Sequence, residues 1–248
     1  MKRLTAFAAL VLAFSSPALA FASDLSFTGT AKPVDGGATI YQEIHSISGS
    51  CETGVFTPEE HTVEYLRSEA ESFATKTLSY QQSVRRPSLE FRQPDFSEVI
   101  RISNRDDEIL EILWQAPSGS TERASLEVEP SLVADSGFDN FVRQNWQQVI
   151  KNGKSVRFNM VAPTRGDYYG FVLEPTGDSR IDAEHLVRIR PSSTLMRFLV
   201  DPILLGYNDD GLLTDYLGLT NIRKNEDNNH TAHIRYTIQA MPDCKLTR

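Results

Sequence analysis

The sequence predicts a mainly β fold, a curved antiparallel sheet or incomplete β-barrel wrapped around one amphipathic helix. Three observations carry this. Apolar and polar residues alternate at period two in a dozen short segments. Turn residues separate most of those segments and helices do not alternate with them, which argues against a doubly wound sheet. A single segment follows a helical period, and its apolar stripe needs a covering surface that a curved sheet can supply.

The strand segments are 40–47, 62–66, 73–81, 98–103, 109–114 and 124–128, then 155–161, 168–173, 186–189, 203–207, 212–217 and 232–238. Asn104-Arg105-Asp106-Asp107 divides two of them, and Asn208-Asp209-Asp210-Gly211 is the strongest hairpin signal in the chain. The helix is expected near 137–151. Ser136 or Asp135 is placed to cap its start, and Asn152-Gly153 to end it with a left-handed residue. Phe138, Phe141, Val142, Trp146, Val149 and Ile150 fall on one stripe of it. No repeat or linker calls for a second domain, so residues 21–248 read as one β-rich unit.

The first twenty residues read as an address. Lys2 and Arg3 precede an uncharged run over 4–14, Ser15-Ser16-Pro17 breaks it, and Ala18-Leu19-Ala20 supplies a small-x-small cleavage pattern. That is the layout of a secretory signal peptide, with Ala22 as an alternative cleavage site. Eleven apolar residues at about 1.5 Å each reach only half-way across a bilayer core, so a membrane anchor is disfavoured. No cysteine follows the run, which leaves no lipoprotein attachment point. The expected product is periplasmic or secreted and does not span the membrane.

Composition narrows the partners. Of 248 residues, 40% are hydrophobic, too many for a disordered chain. Losing Lys2 and Arg3 leaves 23 of 25 basic residues against 33 acidic ones, so the net charge moves from −8 to −10. The densest basic spot is Arg85-Arg86. Nucleic acid is therefore a poor partner, since phosphate contacts need clustered Lys and Arg. Cys51 and Cys244 are the only cysteines. In an oxidising compartment they are candidates for a disulfide, the alternative being two unpaired thiols. Their number excludes a CxxC redox pair or a zinc cluster.

Chemical motifs mostly fail on spacing. There is no P-loop, GxGxxG, GxSxG or HExxH. Residues 208–211 look superficially like a calcium loop, but Gly206 and Leu217 stand where ligands are required. His230 and His233, three apart on a strand, would face opposite sides and share no metal. No cofactor is implied. Tyr41, Glu43 and His45 share one strand face, where the carboxylate can orient the imidazole as a general base. The alternative is a solvated face whose ion pair extends to Lys76 on the next predicted strand. No nucleophile accompanies them. Asp139 and Arg143, four apart on the helix, form either a surface bridge or a polar contact at a cavity mouth. The apolar stretch 195–205, containing Phe198 and Leu199, is either core or a flap over a hydrophobic cavity.

Three stretches carry a resemblance: Tyr41-Gln42-Glu43-Ile44-His45 with Val63-Glu64-Tyr65 and Ala74-Thr75-Lys76; the segment from Gly137 to Trp146; and Asp201-Pro202-Ile203 leading to Tyr207 and 217–222. Together they resemble an uncharacterised family of exported proteins of Gram-negative bacteria. The chain departs from that pattern at Asp95-Phe96-Ser97-Glu98-Val99, where a Gly-rich tyrosine segment is usual. The family brings no established activity. In layout alone the chain is similar to the periplasmic lipoprotein-carrier fold, whose incomplete barrel around a helical plug holds acyl chains. Three functions follow as expectations. The first is binding of an apolar or amphiphilic ligand such as a lipid, without catalysis, by Phe138, Phe141, Arg143, Trp146, Phe198 and Leu199. The second is an envelope protein–protein interaction module with a solid core. The third is a hydrolase using Glu43 and His45.

Overall fold

The computed structural model describes residues 22–52, 54–67, 71–195 and 201–248. The expected leader, and Phe198 and Leu199, lie outside them. The first wing of the molecule comprises β1 (Ala22–Pro33), β2 (Tyr41–Glu52), β3 (Val55–Leu66), β4 (Ser72–Ser79), β5 (Ser88–Gln93), β6 (Glu98–Arg105), β7 (Ile109–Gln115) and β8 (Thr121–Glu127). After the short β9 (Leu132–Val133) comes α1 (Gly137–Gln144), which runs on through a wider helical turn, Gln147–Lys151. The second wing comprises β10 (Val156–Ala162), β11 (Asp167–Pro175), β12 (His185–Pro191), β13 (Ile203–Tyr207), β14 (Leu213–Arg223) and β15 (Asn229–Ala240).

All fifteen strands form one curved, open sheet in the order β8-β7-β6-β5-β4-β3-β2-β1-β15-β14-β13-β12-β11-β10-β9. Every pair is antiparallel except β9 with β10. Apart from the β1–β15 seam, neighbours in the sheet are neighbours in the chain. The turn Pro163–Arg165 after β10 reaches back to β6 and β7, so the two wings curl towards each other. Among the described residues no helix is long and apolar enough to cross a membrane.

Period-two patterning accounts for most of this. β3 buries Phe56, Pro58, His61, Val63 and Tyr65. Its phase changes at Glu59-Glu60, both exposed, where the register with β2 slips between Ser48 and Gly49. That bulge needs a glycine: a Cβ on Gly49 would lie 2.3 Å from the Thr57 carbonyl oxygen. Three strands go beyond the sequence expectation. In β1, Leu25, Phe27, Gly29 and Ala31 point inward, and two of those four are too small to mark a hydrophobic strand. β5 is short and carries Glu90 and Arg92 between its inward residues. β9 has only two residues.

The helical period places α1 correctly, but neither expected cap forms. Ser136 has a helical φ of −62° and makes no side-chain cap. The Asp135 carboxylate is taken up by Lys76 and Asn221 instead. The start of the helix is pressed against the chain before β5, where a Cβ on Gly137 would sit 2.1 Å from the Arg85 carbonyl oxygen. Gly153, at φ 65°, ends the helical run as expected. The stripe is dry. Phe141, Val142, Trp146 and Val149 are buried against Phe158, Leu173, Val187, Leu205 and Tyr207 of the second wing. A second apolar cluster fills the first wing around Tyr65, Phe91 and Ile102.

Candidate functional site

Between the two wings the sheet leaves a cavity of about 1040 Å³. Its apolar wall includes Val63, Phe91, Ile100, Phe138, Tyr216 and Tyr236. Its polar side is built from β2, β3, β4 and α1, and gathers Glu43, His45, His61, Lys76, Asp139 and Arg143.

The alternation on β2 puts Tyr41, Glu43 and His45 on one face, as the sequence implied. That face is the interior one, so the solvated alternative is wrong: all three residues are buried, and it is Ile44 that faces outward. Tyr41 packs between Tyr65 and Phe73, with ring centroids 6.0 and 6.2 Å away. Glu43 and His45 line the cavity. Lys76 does not join them in an ion pair. Its ammonium lies 2.8 and 3.0 Å from the two carboxylate oxygens of Asp135, which also accepts from the Ser136 amide and hydroxyl and from Asn221. Burial by itself would raise the Asp135 carboxyl. Lys76 and the Ser136 hydrogen bonds outweigh it and hold the group below the ordinary carboxylate range.

A directed chain of hydrogen bonds runs along this side. The Glu43 carboxylate can only accept, so His45 donates to it from Nε2 at 2.9 Å. In that tautomer His45 Nδ1 is the acceptor for His61 Nε2, 3.0 Å away. His61 Nδ1 is left as an acceptor for the Tyr80 hydroxyl at 3.4 Å. Tyr236 donates a second hydrogen bond to Glu43 at 3.1 Å. The His45 ring is stacked on Phe27, with centroids 4.4 Å apart, which fixes its plane. Burial, then the neighbouring His45, Lys76 and Arg143, push the His61 imidazole well below its ordinary value. Burial likewise pushes the Tyr80 hydroxyl up.

This has a consequence for stability with a definite sign. His61 is buried neutral and its folded pKa is depressed, so its contribution is complete above the unfolded value of about 6.5 and is lost as pH falls below it. Urea unfolding from pH 7.5 to 5 is expected to show stability dropping with a slope of up to about 1.4 kcal/mol per pH unit for this one proton. In His61→Gln that part of the slope should vanish, and an unchanged profile would show the drop to come from other groups.

The helix supplies the rest of the polar side. Arg143 bridges to Asp139 at 2.8 Å and donates from Nε to the Gly211 carbonyl at 2.9 Å, while Tyr207 donates to Asp139 at 3.1 Å. Burial holds the Asp139 carboxyl up in spite of Arg143 and Tyr207. Of the other expected ligand residues, Phe138 lines the cavity beside Tyr216. Phe141 and Trp146 do not. Phe141 lies 4.9 Å from Phe158, and Trp146 sits edge-on to Tyr207 at 5.8 Å, so both serve the core behind the helix. His233 meets Asp215 at 2.7 Å, away from His230, whose ring lies beside Tyr41. Among the described residues no group of three or more His, Cys, Asp or Glu is arranged to hold a metal ion. Cys51 and Cys244 are joined, with Cα atoms 5.8 Å apart.

Sequence reasoning missed His61, Tyr80 and Asp135 as members of this site. The alternation of Val63 and Tyr65, continued backwards, would have placed His61 on the same face as both.

No protein-family model matches the chain, and no curated protein matches it. Two solved structures are similar to it. One is a beta-barrel-like protein of domain of unknown function DUF1849 from Brucella abortus, 8% identical, with a TM-score of 0.36 over 88% of this chain and 95% of the other. The second is a domain from Vibrio parahaemolyticus described as that of an outer membrane lipoprotein-sorting protein, 10% identical, with a TM-score of 0.26 over 90% of this chain and 85% of the other. Likeness at this level carries nothing about ligand or activity.

Proposed function

We propose that this is an exported protein that binds one apolar or amphiphilic molecule, of the size of a lipid acyl chain, between the two wings of its sheet. The cavity of about 1040 Å³ carries the reading. Ligand sites commonly enclose about 300–1,000 Å³ and pair apolar walls with a few convergent polar groups. Here the apolar wall and the Glu43–His45–His61 side meet that description. The cavity disfavours an interaction module with a solid core. The hydrolase reading is weakened by the hydrogen bonds themselves: both ring nitrogens of His45 are already engaged, by Glu43 and His61, and neither is free to take a substrate proton.

Export is supported by the leader-like sequence and by the Cys51–Cys244 disulfide, which suits an oxidising compartment. Cleavage after Ala20, and a single domain over 21–248, belong to the same reading.

N-phenyl-1-naphthylamine, an apolar fluorescent probe, tests the cavity. It is expected to bind with a blue-shifted, enhanced emission, and a lipid extract of the purified protein should contain about one acyl-chain equivalent per chain. Ile100→Trp, at a half-buried position on the wall, should fill part of the space and weaken probe binding about tenfold, the equivalent of about 1.4 kcal/mol. Undiminished binding in that variant, or no binding in the wild type, would remove the proposal.

A further inference from the structure

We propose that the Glu43–His45–His61–Tyr80 chain makes the cavity selective for amphiphiles with an anionic head group, and that such a ligand binds together with one proton taken up by His61. This rests on the binding function proposed above and adds the head-group chemistry and its coupling to pH.

The direction of the chain decides where the proton goes. In the neutral state every ring nitrogen is committed. His45 donates to Glu43 and accepts from His61, and His61 accepts from Tyr80. His61 Nδ1 is the end of the imidazole pair and the one ring nitrogen whose partner can reverse its role. When a proton from solvent adds there, Nδ1–H becomes a donor and the Tyr80 oxygen becomes its acceptor. The Tyr80 hydroxyl hydrogen is then released, and Tyr80 lines the cavity, so it can donate to a ligand oxygen. The charge stays on His61, whose Nε2–H continues to donate to His45 while His45 continues to donate to the Glu43 carboxylate. No bond other than N–H forms, and the only species consumed is a proton.

The surroundings explain why the empty cavity does not hold that proton. His61 touches His45 and Tyr80, and shares the cavity lining with Glu43 on β2, Lys76 on β4, Asp135 before α1, Asp139 and Arg143 on α1, and Tyr236 on β15. Lys76 is matched by Asp135, and Arg143 by Asp139. Those two pairs leave the polar side without a spare cation. Burial and the nearby cationic groups oppose a charge on His61. An anionic head group entering beside them reverses the balance, because a nearby negative charge favours the protonated imidazole. A neutral alcohol offers no such compensation. The apolar wall takes the alkyl chain in either case, so the head group alone decides whether a proton is carried.

Isothermal titration calorimetry of the full chain with three single-chain amphiphiles tests this, each in two buffers of different ionisation enthalpy between pH 6 and 8. Dodecanoate carries a carboxylate, lysophosphatidylglycerol a phosphodiester, and dodecanol no charge. At least one of the two anionic probes is expected to bind with uptake of about one proton. Its affinity should fall, approaching about tenfold per pH unit, as pH rises. Which of the two does so identifies the head group. Dodecanol is expected to bind without proton uptake and without pH dependence. His61→Gln should abolish both the uptake and the pH slope for the anionic probe. Tyr80→Phe, which removes a single hydroxyl, should weaken that probe about tenfold or more, and it serves if His61→Gln does not fold. Equal, pH-independent binding of all three probes would overturn the inference and leave the cavity function standing. Proton uptake that persists in His61→Gln would overturn it too, by placing the proton elsewhere. If no probe binds, both readings fall together.

Discussion

Asp135→Ala is expected to lower the stability of the protein by about 3–5 kcal/mol, measured as the shift in urea unfolding by circular dichroism. The side chains of Lys76 and Asp135 are only 6% and 12% exposed, so removing the carboxylate strands an ammonium ion in the cavity wall. Exposed bridges in the same molecule, such as Arg105 with Glu111, should cost under about 1 kcal/mol when broken. Two further variants separate the contributions. Asp135 has φ 43°, a left-handed conformation that asparagine tolerates better than alanine, so Asp135→Asn keeps the backbone and loses only the charge. Its cost should lie between wild type and alanine. Adding Lys76→Met to Asp135→Ala removes the stranded ammonium and should restore most of the loss. A single alanine variant within about 1 kcal/mol of wild type would show that Lys76 finds another carboxylate. The pH sign is also determined. The folded carboxyl is held low, so the pair's contribution is complete above the unfolded value of about 3.9 and is lost as pH falls through the folded one.

Replacing both cysteines by serine is expected to cost about 2–4 kcal/mol, within the usual range for a native disulfide. The bridge spans 193 residues, and chain entropy alone would give about 5 kcal/mol for so long a loop, an upper bound. Its second effect is local. The tail beyond β15 is held by the Phe56 amide donating to the Lys245 carbonyl at 2.8 Å, and by Leu246 buried among Leu25, Ile47 and Phe56. Without the covalent tie those contacts must hold the tail unaided. Hydrogen exchange at Phe56 and Lys245 should therefore accelerate well before global unfolding. Equal denaturation midpoints in oxidised and reduced protein would refute the prediction.

How far the chain could be read follows from what alternation does and does not encode. Period two shows which residues share a face, and it correctly grouped Tyr41, Glu43 and His45. It does not show which face is inside when the inward set is polar. Here hydrophobicity pointed the wrong way, because Ile44 is 39% exposed while Glu43 and His45 are buried. The helix was legible because its stripe is strongly apolar and the surface it covers runs through the second wing. Its cap was not, because Asp135 bonds to Lys76, 59 positions away, and to its immediate neighbour Ser136, and caps none of the helix's own amides. The His45–His61 contact depends on the bulged register between β2 and β3, a property of strand pairing that no single segment carries. The disulfide was legible because two cysteines allow only one pairing.

The sheet's strand order has a consequence for how the molecule is made. Both wings are built from neighbours in the chain, so each can zip up locally as it emerges. Among the described residues their strands pair with each other only where the first is joined by the last, Ser26–Pro33 against Ala232–Ala240. Until synthesis reaches that final strand, β1 presents an unpaired margin of amides and carbonyls. A second nascent copy can offer the same final strand to that margin, with the same ladder, giving two molecules that have exchanged arms. Cys51 and Cys244 lie beside this joint, so their oxidation locks in whichever partner arrives first, and a covalently linked pair of chains is the record of a wrong arrival.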